Sequence, residues 1–391
     1  MAYRRREGPT GGAGGVLYVQ EALLGRELDG LALDYEYQPD RLEKGRGAAR
    51  LQQWAWRWLN LGHAYFDHFV WARRVIRRLG GRRTFFVAHE PWSAFVLALM
   101  RQRYVLVYHQ QGALAAEKDS FRQALSRRER GWEHAIECLA FRRAEHVYFP
   151  SRGAEEAFLA TTKWLKAGSF RHGGILHNTI LEDDARPGEA DAKALARIPS
   201  DRTVFVSIGA YSEAKGLDRV PEFLARFAGV SARPFAWVVV GSGRGRESLE
   251  QEVRARGLDG SVMIFDGASH AFVLKLLEKA DVYIMLHRRS IFDFATLEAM
   301  RAGCALVLSD EGGNREVNVR ENVLLVRGGE AESAARRLAS ADLRDLGEQN
   351  RRVFAGHFSP AEFRKRYIAM LCRHAGMVPP AGEMPRPTPE P

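Results

Sequence analysis

A lysine at a strand-to-helix turn, a carboxylate early in a helix and glycines after apolar runs are the residues with chemistry to offer. They crowd into the second half of this 391-residue chain. In SIGAYSEAKG (207–216) an apolar run ends at Gly209, and Lys215 stands where a helix would begin. A helix start presents unpaired N–H groups and the positive end of a dipole, so a lysine there suits a diphosphate. A lysine that simply faces water fits the same letters. VVVGSGRGRESLE (238–250) places Gly241 and Gly243 after another apolar run. Arg246 stands where a nicotinamide-dinucleotide turn needs Gly or Ala, which excludes that cofactor on spacing. These glycines either let the backbone approach a ligand or merely make the turn. RRSIFDFATLEAMRAGCALVLSDEGGNRE (288–316) reads as a loop, a helix with Glu298, a glycine turn, a buried strand and a second loop with Gly312, Gly313 and Glu316. A carboxylate in the first turns of a helix at the mouth of a parallel sheet can accept both hydroxyls of a ribose. The alternative is a solvated helix residue.

Strands must position these groups. TVFVSIG (203–209), FAWVVVGSG (235–243), SVMIFDG (261–267), DVYIML (281–286), CALVLSD (304–310) and VLLV (323–326) are short apolar runs. Helically spaced stretches lie between most of them: Leu217 to Phe227, Glu247 to Arg256, Ala271 to Lys279. The alternation predicts an α/β fold with a parallel sheet, helices on both faces, and ligands at the carboxyl ends of the strands. In the first half LALDYEY (31–37), TFFVAHE (84–90), YVLVYHQ (104–110), HVYFPS (146–151) and GGILHN (173–178) read as strands. The length implies two domains. We expect the first at 1–180, a polar linker with two prolines nearby at 181–202, and a disordered proline-rich tail at 377–391.

A net charge of +10 and a pI near 9.7 call for an anionic partner: nucleic acid, an anionic membrane face or a phosphorylated substrate. The arginines are scattered and no recognised nucleic-acid module is visible, so nucleic acid is not expected. Three widely spaced cysteines exclude a disulfide framework and a cysteine-based zinc site, and fit a reducing compartment. No run approaches about 18 apolar residues and MAYRRREG lacks a signal core, so a cytoplasmic protein, soluble or peripheral at the inner membrane face, is expected. Residues 45–83 stand out, with Trp54, Trp56, Trp58, Phe66, Phe69 and Trp71 ahead of ARRVIRRLGGRR. They read either as a core-facing helix with a solvated basic end or as a helix resting its aromatics in anionic lipid.

In their order, the motifs of 203–330 resemble the retaining glycosyltransferases of family 4: Gly209 to Gly216, Gly241 to Leu249, Phe265 to Gly267, Ala280 to Val282, Ser290 to Gly303 and Ser309 to Glu316. GPTGGAGGVLY (8–18) is similar to that family's glycine loop, AEHVYFPSRGAEEAF (144–158) and ILHNTI (175–180) to its strand-end and hinge motifs, and FSPAEFRKRY (358–367) to its last helix. The resemblance implies the GT-B architecture of two facing Rossmann-like domains, the second at 203–355, with a helix at 356–376 crossing back to the first. It implies a nucleotide-diphosphate sugar as donor, a glycan or lipid-linked acceptor, and neither cofactor nor metal. Donor contacts then fall to Gly11, Gly12, Gly209, Gly241, Gly243, Ser290, Glu298, Gly312, Gly313 and Glu316. Acceptor contacts fall to His89 and His109, and catalytic roles to Lys215, His109 and Asp293. The chain departs from the family in three places. Ser290 replaces the first motif glutamate, Asp293 replaces the glycine three residues on and offers a shifted carboxylate, and Ala210 replaces an arginine whose role falls to Arg288, to Arg289 or to Lys215 acting alone. The departures keep open a second reading, a non-catalytic relative that binds a nucleotide sugar or partners another transferase.

Overall fold

A computed structural model describes residues 13–28, 31–38, 63–81, 84–120, 125–181, 186–380 and 382–384. Gly11, Gly12, Trp54, Trp56 and Trp58 lie outside the described residues. The chain packs as two units.

Unit 1 runs to Thr179 and includes the C-terminal helix. It opens with helix α1 (Ala13–Leu24), so the expected glycine loop of 8–18 is helical from Ala13 onward. Of the expected strand 31–37, only β2 (Leu31–Ala32) forms; it pairs antiparallel with β1 (Glu27–Leu28) in a separate small sheet. Helix α2 (His63–Leu79) buries Trp71, Ala72, Val75 and Ile76 and exposes Arg73, Arg74, Arg77 and Arg78, the stripe of a core-facing helix. The main sheet follows as β3 (Phe86–Ala88), α3 (Pro91–Leu99), β4 (Tyr104–Val107), α4 (Leu114–Ser120), α5 (Arg127–Arg143), β5 (Val147–Phe149), α6 (Arg152–Thr161) and β6 (His172–Ile175). Its four strands run parallel in the order β3-β4-β5-β6. Local chemistry sets the helix starts. Ser126 caps α5 by accepting from Glu129 N while the Glu129 carboxylate accepts from Ser126 N, which satisfies two otherwise orphaned donors.

Unit 2 begins at Ile180. Its first helix, α7 (Glu189–Leu195), lies inside the segment expected to be linker, and Leu195 and Ile198 are buried in the unit's core. The polar residues around those two apolar anchors hid the helix from sequence reading. Then come β7 (Thr203–Ile208), α8 (Val220–Val230), β8 (Phe235–Gly241), α9 (Arg246–Ala255), β9 (Val262–Asp266), α10 (His270–Lys279), β10 (Val282–Met285), α11 (Phe294–Ala302), β11 (Ala305–Ser309), β12 (Val323–Val326), α12 (Ala331–Ser340) and α13 (Leu343–Val353). All six strands are parallel, ordered β12-β11-β10-β7-β8-β9. Helices cover both faces, so β8 reads as one unbroken buried run rather than an alternation. Trp237, fully buried on β8, donates its indole N–H to Ser207 Oγ at 2.9 Å, and Ser207 donates to Ile284 O at 2.6 Å. That chain satisfies the indole and ties three strands together.

Beyond unit 2 the chain returns to unit 1 as α14 (Pro360–Ala375). The tail expected to be disordered from 377 is placed at its start, where Arg364 of α14 donates to Glu383 at 3.1 Å.

Candidate functional site

In unit 2 the strand order reverses between β7 and β10, so the chain leaves these neighbouring strands toward opposite edges and their carboxyl ends diverge into a crevice. Lys215 enters it from a 3-10 turn, Glu213–Lys215, just after β7. The loop after β10 holds that turn in place. Arg288 N and Arg289 N both donate to Ala214 O, and Arg219 donates to the carbonyls of Leu286 and His287 at 3.3 and 3.4 Å. Gly216 closes the turn at φ +64°, and a Cβ there would lie 2.0 Å from Leu286 O. Only glycine meets both demands.

Lys215 Nζ donates to Asp293 Oδ1 at 2.5 Å, and Tyr283 OH reaches Asp293 Oδ2 at 3.4 Å. Burial pushes the Asp293 carboxyl up, but Lys215, with His287 and Tyr283, pulls it further down, so it rests below the usual carboxylate range. Lys215 and Asp293 thus meet at the crevice as an ion pair. Arg288 is committed elsewhere: its guanidinium grips both oxygens of Asp218 at 2.7 and 2.6 Å. Arg289 is exposed.

The glycines expected to face a donor also pack closely against main chain. A Cβ on Gly241 would lie 1.9 Å from Gly209 O, and one on Gly243 would lie 2.9 Å from Tyr211 O. Close packing of main chain by itself requires glycine at both positions. Gly312 and Gly313 press against the loop before α11, where added Cβ atoms would fall 2.1 Å from Ser290 O and 2.0 Å from Ile291 O. Gly313 N also donates to Ser290 O at 3.0 Å. Gly209 differs, since its Cβ would meet the side chains of Met285 and Lys215 rather than backbone. It leaves room for the lysine stem.

Glu298, on α11, is nearly buried rather than solvated, and His270 Nε2 stands 2.7 Å from its Oε1. Glu316 is buried on the second loop. Ser290 Oγ is buried with no hydrogen-bond partner among the described residues. Sequence reasoning missed His287 and His270. His287 closes an apolar strand, and His270 opens a helix behind the Ser269 cap. A polar residue at the end of the β10 run was the available signal.

In unit 1, His89 follows β3 and His109 follows β4, so both stand at carboxyl ends of parallel strands. His89 Nδ1 and His109 Nε2 are 3.1 Å apart, with rings parallel and 5.4 Å between centroids. Both are buried. Burial, with His109 beside it, drives His89 well below the usual imidazole range, and burial drives His109 to about 3. At neutral pH the pair is uncharged and bridged by a single N–H. His89 Nε2 and His109 Nδ1 have no hydrogen-bond partner among the described residues. Tyr367 of α14 stacks on His89 at 6.4 Å. Beside the pair, His68 Nε2 lies 3.1 Å from Glu90 Oε1, and burial raises the Glu90 carboxyl to about 8. Among the described residues no group of three or more His, Cys, Asp or Glu is placed to hold a metal ion, and no helix is long and apolar enough to cross a membrane.

The crevice and its ion pair lie in the stretch that matches a known family. Residues 190–352 match the glycosyl transferases group 1. A curated relative, the lipopolysaccharide core biosynthesis glycosyltransferase LpsE of Rhizobium meliloti (strain 1021), is 28% identical over 179 residues, 44% of this chain. The matched stretch spans about half of that protein, 51% of its length. Among solved structures, a sucrose-phosphate synthase from Thermosynechococcus elongatus superposes with a TM-score of 0.62 at 19% identity, covering 79% of this chain and 77% of that one. An α,α-trehalose 6-phosphate synthase from Burkholderia multivorans gives 0.59 at 15% identity, covering 80% and 75%. At such identities they establish the fold, that of the GT-B glycosyltransferases. Within the matched stretch, Lys215 follows β7, while Asp293 and Glu298 stand at the start of α11 and within it.

Proposed function

We propose that the chain is a retaining, metal-independent glycosyltransferase that moves a sugar from a nucleotide-diphosphate sugar to a glycan or lipid-linked acceptor. The observation that carries this reading is Lys215 Nζ at the switch point of the unit 2 sheet, 2.5 Å from a largely buried carboxylate. A fixed cation is most effective where charge develops, here on the departing diphosphate. In the reaction the bond from C1 to the diphosphate oxygen breaks and the acceptor oxygen bonds C1 on the same face. The acceptor proton leaves with the diphosphate. Glu298, held by His270, accepts the ribose hydroxyls. Asp293 stands in for the missing glutamate at 290 and receives a sugar hydroxyl. His89 and His109, neutral and each with one ring nitrogen open, serve the acceptor as hydrogen-bonding groups rather than as cations.

Nucleotide release from a panel of nucleotide-diphosphate sugars tests the reading, with the protein and its Glu298→Ala variant run in parallel. Release from one donor is expected. The variant should fall by about 10–100-fold, the worth of hydrogen bonds to a charged group. Binding without release from any donor, with acceptors supplied, would instead favour the non-catalytic relative that Ser290 and Ala210 suggest. Absence of nucleotide binding would remove the donor site altogether.

A lipid-linked acceptor would bring unit 1 to a membrane face. Exposed Arg73, Arg74 and Arg77 on α2, with Phe69 36% exposed beside them, support contact with anionic lipid. Co-sedimentation with vesicles should be strong with phosphatidylglycerol, weak with phosphatidylcholine alone, and reduced in an Arg73→Ala, Arg74→Ala, Arg77→Ala variant. Equal binding to both vesicles would argue against it.

A further inference from the structure

Lys215 cannot serve a diphosphate and Asp293 equally, so donor binding in the proposed reaction must weaken their ion pair. The carboxylate left behind would then be a buried charge short of a partner. Such a group ordinarily takes up a proton. One neighbour is placed to prevent that. His287 is buried, and its Nε2 faces Asp293 Oδ2 at 3.9 Å with no hydrogen-bond partner among the described residues.

The other side of the ring settles where the proton sits. Asn314 Nδ2 donates to Ser309 O at 3.0 Å and lies 3.2 Å from Ser309 Oγ, so this end of the amide is the nitrogen. The same nitrogen stands 3.5 Å from His287 Nδ1. A donor facing Nδ1 makes Nδ1 the acceptor and leaves the hydrogen on Nε2. Ser309 in turn donates to His287 O at 2.7 Å, which fixes the residue from its backbone side. The charged and titratable groups around it are Lys215 from the 213–215 turn, Asp293 at the start of α11, Tyr283 on β10 and Arg219, which donates to the His287 carbonyl. Burial and Lys215 together lower His287 to about 3, so it stays neutral across the working range.

We propose that His287 is a positioning residue, its proton fixed on Nε2 by Asn314, which takes over Asp293 when a nucleotide diphosphate draws Lys215 away. Closing a gap of about 1 Å makes the hydrogen bond. Asp293 then stays ionised, held by His287 and Tyr283, and keeps its acceptor oxygens for the donor sugar. Binding proceeds with no proton taken up. The inference rests on the donor-site reading and goes beyond it by assigning what neutral groups do when the cation moves.

Titration calorimetry with UDP, ADP and GDP at pH 7, in two buffers of different ionisation heat, counts the protons. For the wild-type protein the nucleotide that binds should give the same heat in both. His287→Phe removes the donor at similar volume, and its binding should take up about one-half to one proton as Asp293 titrates. His287→Gln, which keeps an N–H within reach, should return the count to zero. Proton uptake by the wild type, or an unchanged count in His287→Phe, overturns the proposal while leaving the donor site intact. Failure of all three nucleotides to bind overturns the donor site and this inference with it. Melting curves check that each variant is folded, and the wild-type count stands as a test without them.

Discussion

Alanine at position 215 is expected to lower sugar transfer by about 10²–10³-fold, the usual cost of removing one preorganised group from a site of developing charge. Initial rates with the donor found in the release panel measure it, and a rate within about threefold of wild type would take Lys215 out of the reaction. Stability should fall as well, because Asp293 would be left nearly buried without its cation, a loss of up to about 3–5 kcal/mol for a fully buried pair. Its 16% exposure makes the lower end the sounder expectation. Adding Asp293→Ala to Lys215→Ala should restore most of the stability and none of the transfer. That contrast separates the structural role of the pair from its chemical one. The pH dependence has a definite sign. A carboxyl held below its unfolded value near 3.9 contributes stability that is present above that value and lost as the pH falls through the lower folded one. The pair's contribution should therefore be flat from about pH 5 upward and disappear only in strong acid.

Gly216→Ala should be nearly as damaging by a different route, and the protein supplies its own control. Gly216 and Gly257 share a left-handed φ, +64° and +65°. An alanine at Gly257 meets nothing within 4 Å, whereas one at Gly216 would sit 2.0 Å from Leu286 O. Gly257→Ala should cost only the strain of left-handed backbone, about 1–2 kcal/mol. At Gly216 the same strain is joined by a collision between two main chains, which must part. The turn carrying Lys215 then shifts, and a displacement of about 1 Å can cost on the order of 10²-fold in rate. Denaturant midpoints and transfer rates for the two variants, side by side, test this; equal effects on transfer would show that the close contact with β10 does not position the lysine.

The unit 2 fold was legible because most of its strands are compact apolar runs closed by Gly, Asp or Ser, with little alternation to misread. Lys215 stood out in the turn after one apolar run, and Asp293 and Glu298 in the turn and helix after another. The meaning of the glycines was not legible. Gly241, Gly243, Gly312 and Gly313 look the same in sequence as any turn glycine, and only their neighbours in space show the close backbone packing that requires them. His287 was hidden by the company of DVYIML, where a final histidine reads as the end of a strand. Unit 1 was harder. LALDYEY has the alternation of a half-buried strand, yet only Leu31–Ala32 pairs, with Glu27–Leu28, and the four-stranded sheet forms without it. Polar composition concealed α7 in the same way, since two buried side chains are enough to dock a short helix.

Where main chain rests directly on main chain, at Gly209 against Gly241 and at Ser290 and Ile291 against Gly312 and Gly313, the frame of the crevice does not depend on which side chains fill it. Residue types at positions 287, 290 and 293 can therefore change without dismantling that frame, whatever each change costs locally. A relative that moved its carboxylate by three residues and gained a histidine nearby could have done so in separate steps, each leaving a folded protein. Backbone contacts of this kind leave the recognition of new sugars open to gradual change.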